Sequence, residues 1–368
     1  MAIYIHQQKQ WPNFKWREEE FITLLGEVRF LQGRLLGKIE LLGFELKEEA
    51  NLETLIQDVV QSSEIEGEIL NPEQVRSSVA YRLGLENSGI AHFDRNIEGV
   101  VEMMLDATQN INKSLSDERL FDWHSALFPN GRSGMYKIEV AKWRTGDMQV
   151  VSGGMGREII HYDAPKSERL EKEMAKFLEW FTKDTLDPIL KASIAHLWFV
   201  TIHPFDDGNG RIARAISDMQ LSRADGVNQR FYSMSTQINS EKKSYYSILE
   251  QTQKGDLDVT EWIIWFLECL RSAITSSSSI IDKVIQKHLF WAANASLVSN
   301  ERQKKMIDKL LSHFEGNLTT SKWAKMTKSS PDTALRDITD LVNKGILSKA
   351  NSGGRSTHYL LNLNPSQS

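Results

Sequence analysis

The stretch His203-Pro204-Phe205-Asp206-Asp207-Gly208-Asn209-Gly210-Arg211-Ile212-Ala213-Arg214 decides how the rest of the chain is read. It lies between two segments with helical apolar periodicity, Ile189 to Ile202 and Ile212 to Arg223, so it reads as a loop opening into a helix. Two glycines and an asparagine at such a point turn backbone N–H groups and the positive end of the helix dipole toward one place, which suits a phosphate. Arg211 and Arg214, three apart, fall on neighbouring positions of the following helix and offer fixed positive charge to further phosphates. Asp207 is the hard oxygen ligand that a phosphate-bound Mg²⁺ prefers. His203 is the only group in the stretch whose ordinary pKa suits a general base near neutral pH. Taken singly, each residue has a plainer reading as a helix-end His, a turn or a solvated arginine face. Their convergence within twelve positions argues for chemistry.

Outward from this stretch the pattern is mainly α. Apolar residues recur at helical spacing from Glu18 to about Leu85, as in Leu24, Leu25, Val28, Leu31, Leu35 and Ile39. A second helical stretch, Leu52 to Ser62, runs into Ser-Ser-Glu-Ile-Glu-Gly, where Gly67 stops the helix among clustered charges. Between Arg144 and Pro165 the runs Val150-Val151 and Ile159-Ile160 flank Gly153, Gly154 and Gly156, a hairpin signature. Helical periodicity returns over Ser167 to Thr182 and Thr260 to Ser272. The Ser/Thr run Thr275 to Ser279 reads as a linker, with a helical restart over Ile280 to Ala293. Beyond it, Lys304 to Phe314, Ser321 to Met326 and Pro331 to Lys344 read as three helices. Ile346-Leu347 and His358 to Leu361 follow around Gly353-Gly354, which is the order of a winged helix.

Composition fits a folded globular chain: 40% hydrophobic and 25% charged residues over 368 positions. The net charge of −5 excludes a protein that coats nucleic acid or anionic membrane over its whole surface. Residues 301–368 nevertheless carry 11 Lys and Arg against 6 Asp and Glu, although Asp332, Asp337 and Asp340 dilute the charge on the third helix. A single cysteine, Cys269, forms no internal disulfide and reads as a small packed hydrophobe in a reducing cytoplasm. The first residues show no export signal. The most apolar window, Ile189 to Ile202, is shorter than a bilayer span and holds Lys191, Ser193 and His196, so it reads as a buried core helix.

The twelve-residue stretch matches His-Pro-Phe-x-(Asp/Glu)-Gly-Asn-Gly-Arg-x-x-Arg throughout, and the chain resembles the Fic family of AMP-transferring enzymes. The resemblance implies a helical core with a β-hairpin flap, in which ATP is the substrate and Mg²⁺ the cofactor. It implies that His203 deprotonates a target hydroxyl and that Asp207 binds Mg²⁺. Gly208, Asn209 and Gly210 would hold the α- and β-phosphates, with Arg211 at the β-phosphate, Arg214 at the γ-phosphate and Phe205 a core anchor. The Arg144 to Pro165 hairpin looks like the flap on which a target protein docks as an added strand. Tyr245, Tyr246 and Gln253 stand around the nucleoside, Gln253 in place of the family's usual Asn. Ser62, Glu66 and Gly67 match the inhibitory motif (Ser/Thr)-x-x-x-Glu-(Gly/Asn). Ser62 and Glu66, four apart, would let the hydroxyl steady the carboxylate, with Arg214 the nearest cation.

These readings give three expected regions: a helical N-terminal region with the inhibitory motif over 1–95, a Fic core over 96–274, and a winged-helix-like domain over 290–368. The expected activity is transfer of AMP from ATP to Ser, Thr or Tyr hydroxyls of target proteins and of the chain itself, autoinhibited by Glu66. Removal of AMP, transfer of phosphate, and a nucleotide-sensing regulator whose winged helix binds DNA or protein remain alternatives. The family habit implies a homodimer. No membrane association is expected.

Overall fold

The computed structural model describes residues 4–85, 94–152, 159–312, 314, 316–350 and 357–363. The glycine tips expected at Gly153, Gly154 and Gly156 and at Gly353-Gly354 lie outside the described residues. The chain divides into two compact units, residues 1–277 and 278–368. The leading region and core expected as 1–95 and 96–274 thus pack as one unit.

In the first unit α1 (Ile22–Glu40), α2 (Phe44–Ile65), α3 (Pro72–Arg82), α4 (Arg95–Gln109) and α5 (Asp117–Leu127) lead to two short antiparallel pairs. These are β1 (Arg132–Ser133) with β2 (Tyr136–Lys137), and β3 (Gln149–Ser152) with β4 (Ile159–Asp163). Helices α6 (Leu170–Lys183), α7 (Pro188–Ile202), α8 (Asn209–Asp225), α9 (Met234–Ser240), α10 (Lys242–Gln253) and α11 (Thr260–Asn294) follow, the last running past Ser277 into the residues of the second unit.

Helix α7 is the centre of this unit. Asp187 caps its first turn by accepting from the N–H of Ile189 and Leu190, Pro188 occupies its first position, and Ile189 to Ile202 are all buried. Two of the three polar residues that argue against a membrane span find partners: Lys191 Nζ donates to the Asp184 carbonyl at 2.8 Å, and His196 sits between Ser217 Oγ and Tyr245 Oη, whereas the Ser193 hydroxyl is buried without one among the described residues. No described helix is long and apolar enough to cross a membrane.

The Thr275 to Ser279 run is helix, not linker. Buried Leu270, Ala273, Ile274 and Ile281 carry the apolar stripe of α11 through it, and Thr275 folds its hydroxyl back onto the Arg271 carbonyl. Cys269 is free and buried in the same helix.

The second unit contains α12 (Glu301–Ser312), α13 (Thr320–Thr327), α14 (Pro331–Asn343) and the antiparallel pair β5 (Leu347–Lys349) with β6 (Tyr359–Leu361). Its core gathers Met306, Ile307, Trp323, Ile338, Leu341 and Ile346. Two of the acids expected to dilute the charge of the third helix are occupied within the unit. Asp337 is buried against Arg302 Nε at 2.8 Å, and Asp340 accepts from Lys344 and Gln303.

Candidate active site

Helix α7 ends at His203, whose φ of 51° and ψ of 59° place a non-glycine residue in the left-handed region. That conformation costs about 1–3 kcal/mol and persists only where surrounding bonds impose it. They do so here: the His203 N–H donates to the Phe199 carbonyl at 3.0 Å, and Arg144 Nε donates to the His203 carbonyl at 2.8 Å. Arg144 is buried, and its other nitrogens donate to the carbonyls of Gly146 and Pro165, at the two feet of the flap hairpin. One side chain thus ties the flap to the end of α7.

The loop that follows is pinned from within. Phe205 is fully buried and stacks on the His124 ring, with centroids 4.1 Å apart. The N–H of Ala141 donates to His124 Nδ1, so Nε2 carries the proton and donates to the Asp207 carbonyl at 3.2 Å. Burial pushes His124 down to about 4, which keeps it neutral. Asn209 closes the loop by accepting from the Phe205 N–H and donating to the Phe205 carbonyl. Its side chain thus holds the loop closed. Gly208 has φ +81°, and a Cβ there would stand 2.9 Å from the Phe128 ring, so only glycine fits. Its N–H donates to Asp207 Oδ1 at 2.5 Å.

Helix α8 begins at Asn209, and helix geometry leaves the N–H groups of Asn209, Gly210 and Arg211 without intrahelical acceptors. Arg211 and Arg214 flank this end, both buried. Among the described residues, Arg211 Nε and Arg214 Nη1 are buried with no hydrogen-bond partner, although guanidinium N–H groups this deep ordinarily have one.

The end of α2 closes over the same place. Gly67 at φ +87° ends the helix, with its N–H on the Glu64 carbonyl and that of Glu68 on the Ser63 carbonyl. This turn projects Glu66, whose Oε1 accepts from Arg214 Nη2 at 2.8 Å. A Cβ on Gly210 would overlap Glu66 Oε1, so the carboxylate lies directly over the first turn of α8. Burial works against the Arg214 charge, and Glu66 together with Tyr245 and Tyr246 outweighs it, so the guanidinium is held above its ordinary value. The Ser62 hydroxyl does not steady Glu66 as expected; it accepts from Arg214 Nε at 2.9 Å, and the Ser62 carbonyl accepts from Nη2. Glu68 was not singled out in the sequence, yet its carboxylate accepts from Arg211 Nη1 at 2.7 Å. Both arginines are thus held by acids from one turn. Farther along α2, Asp58 accepts from Ser233, and Asn51 accepts from the N–H of Arg230, which pairs with Asp218 of α8. The helix carrying Glu66 is fastened into the core.

His203, Gly210 and Glu66 line one cavity of about 700 Å³ with Val150, Ser152 and His161 of the flap hairpin and Tyr245, Tyr246 and Gln253 of α10. The Nδ1 of His203 donates to the Val200 carbonyl at 3.1 Å, which leaves Nε2 as the proton acceptor. Burial pushes His203 below its ordinary value against the opposing pull of that hydrogen bond. The Tyr245 hydroxyl is engaged by His196, that of Tyr246 donates to the Ile65 carbonyl, and the Gln253 amide donates to Thr201. Polar ends of this trio are thus used within the protein.

Asp207 Oδ2 accepts from the Ser133 hydroxyl. Among the described residues no group of three or more His, Cys, Asp or Glu is placed to hold a metal ion. A lone carboxylate beside a phosphate site fits Mg²⁺, which is commonly held by one or two carboxylates together with substrate phosphates and water.

Comparison with known proteins agrees with this geometry. A model described as the Fic/DOC family matches residues 114–221, and one described as a domain of unknown function (DUF4172) matches residues 4–85. A protein adenylyltransferase Fic from Nematostella vectensis is 25% identical over 263 residues, covering 68% of this chain and 55% of the relative. One from Drosophila melanogaster is 26% identical over 214 residues, covering 56% and 39%. The chain thus spans about half or less of the length of these curated relatives. Among solved structures, a Fic family protein from Desulfovibrio desulfuricans G20 aligns with TM-score 0.52 and 19% identity over 93% of this chain and 95% of that one. Fic-1 from C. elegans (residues 134–508) aligns with TM-score 0.52 and 21% identity over 74% of each.

Proposed function

Since residues 114–221 are a Fic/DOC-family domain in a chain with the Fic fold, we propose that this protein transfers AMP from ATP to hydroxyl side chains of proteins. The observation that carries the reading is the single cavity onto which His203, the first turn of α8 and the α10 tyrosines all open. The N–H groups at the start of α8, with Arg211 and Arg214, bind the phosphates, and the unpartnered nitrogens of both arginines give those oxygens somewhere to bond. Tyr245, Tyr246 and Gln253 line the wall left for the nucleoside. Asp207 would hold Mg²⁺, which when bound would supply charge neutralisation for the leaving pyrophosphate.

The target segment pairs along the flap and presents its hydroxyl to the α-phosphorus. The oxygen forms its bond there, the α–β bridging P–O bond breaks, and His203 Nε2 takes the proton. Arg144 sets the position of both flap and base. In the resting chain Glu66 and Glu68 occupy the arginines, so ATP binds with its phosphates displaced and turnover is slow.

The test is incubation of the protein and a lysate with ATP labelled at the α or the γ position. Label retained on protein from the α position supports AMP transfer. Label retained only from the γ position refutes it in favour of phosphorylation, and loss of AMP from a pre-labelled lysate would assign the reverse reaction.

A further inference from the structure

The cavity holds a second set of polar groups that the proposed transfer does not use. In the β3–β4 pairing Val150 faces Tyr162 while Val151 faces Ile160, so His161 is the extra residue of a β-bulge. Bulges interrupt the ladder and re-aim a side chain. The His161 ring reaches two partners: Nε2 lies 2.5 Å from Ser152 Oγ, and Nδ1 lies 2.8 Å from Glu250 Oε2 on α10. Lys254, with His161 assisting, holds the Glu250 carboxyl below the usual carboxylate range, so it stays ionised. An ionised carboxylate accepts only. Nδ1 therefore carries the proton, and Nε2 accepts from the Ser152 hydroxyl. Hydroxyl, imidazole and carboxylate in series is the arrangement that activates a serine oxygen. A simple latch between the flap and α10 would need His161 and Glu250 but not Ser152. All three residues line the cavity that also contains His203 and Gly210.

We propose that Ser152 is an acceptor built into the chain: it takes AMP from the ATP bound in the same cavity. The Ser152 Oγ bonds to the α-phosphorus, the α–β bridging P–O bond breaks, pyrophosphate leaves with the electron pair, and the hydroxyl proton passes to His161 Nε2. The proposal rests on the ATP chemistry proposed above. Tethering beside the nucleotide replaces a bimolecular encounter by an intramolecular one.

The full chain, with Glu66→Gly to expose the phosphate site, is incubated with α-labelled ATP and a lysate, and the modified peptides are mapped by mass spectrometry. AMP should be found on Ser152, disappear in Ser152→Ala, and fall about 100-fold in His161→Ala, the usual contribution of a general base. A phosphonofluoridate probe, which needs no ATP, should label Ser152 in a His161-dependent manner. Lysate proteins labelled while Ser152 stays bare overturns the acceptor assignment alone. Probe reaction at Ser152 with no AMP on any protein overturns it through failure of the ATP chemistry. A probe that ignores Ser152 overturns the activated serine itself.

Discussion

Glu66→Gly removes the one carboxylate that both pairs with Arg214 and covers the first turn of α8. Arg214 is almost fully buried, at 1% side-chain exposure against 31% for Glu66, so the pair is poorly screened on the arginine side. A hydrogen bond to a charged group contributes about 1.5–3 kcal/mol. If that interaction is what ATP must displace to set its phosphates, releasing it raises the rate by about 10- to 100-fold, at about 1.4 kcal/mol per tenfold. The upper end is limited by Glu68, which still holds Arg211. The assay is the initial rate of α-labelled AMP incorporation for wild type, Glu66→Gly, and Glu66→Gly combined with Arg214→Ala. The single variant should be faster by at least several-fold, and the double variant should lose the gain, because Arg214 is the group released. Adding Glu68→Ala to Glu66→Gly should raise the rate further. Equal rates for wild type and Glu66→Gly would refute autoinhibition while leaving the catalytic reading intact. A gain that survives loss of Arg214 would show that Glu66 acts by covering the helix end and not by holding the arginine.

Three further outcomes are expected. His203→Ala should lower transfer by about 100-fold or more while sparing ATP binding measured by calorimetry; because burial holds His203 below its ordinary value, the acid limb of wild-type kcat/KM should lie below pH 6.5, and a limb above it would contradict the base assignment. Asp207→Ala should weaken Mg²⁺-dependent nucleotide binding as well as turnover, and nucleotide affinity indifferent to Mg²⁺ in the wild type would remove the metal role. Thermal stability should fall as pH drops from about 6.5 toward 4. Burial lowers His196 from 6.5 to about 3 and His124 and His6 to about 4, so below pH 6.5 the unfolded chain binds more protons than the folded one, costing up to about 1.4 kcal/mol per pH unit per group. A melting temperature that stays flat from pH 7 to 4.5, or a slope unchanged by His196→Gln, would contradict this.

The sequence by itself determined what depends on neighbours along the chain. The His203 to Arg214 stretch was legible because a helix end, its glycine loop and two arginines three apart lie within twelve positions, where backbone geometry alone fixes which groups meet. The burial of Ile189 to Ile202 followed from an apolar run too short for a bilayer, and the helix stop at Gly67 from one residue tolerant of positive φ. The hairpin strands showed in their β-branched pairs.

Only tertiary structure decided the contacts between distant segments. Arg144 reaches the His203 carbonyl across 59 residues, Ser133 reaches Asp207 across 74, and Glu68 reaches Arg211 across 143. Nothing in local spacing specifies these pairs, because they depend on how α2, the flap and α8 pack. The same holds for Ser62, whose spacing from Glu66 suggested the wrong partner: both residues face one way from α2, and it is the arrival of Arg214 that settles which atom the hydroxyl meets. The Ser/Thr run of α11 is helical for a similar reason. Propensity at five small polar residues is weak, and the apolar residues flanking the run, Ile274 before it and Ile281 after it, are each buried.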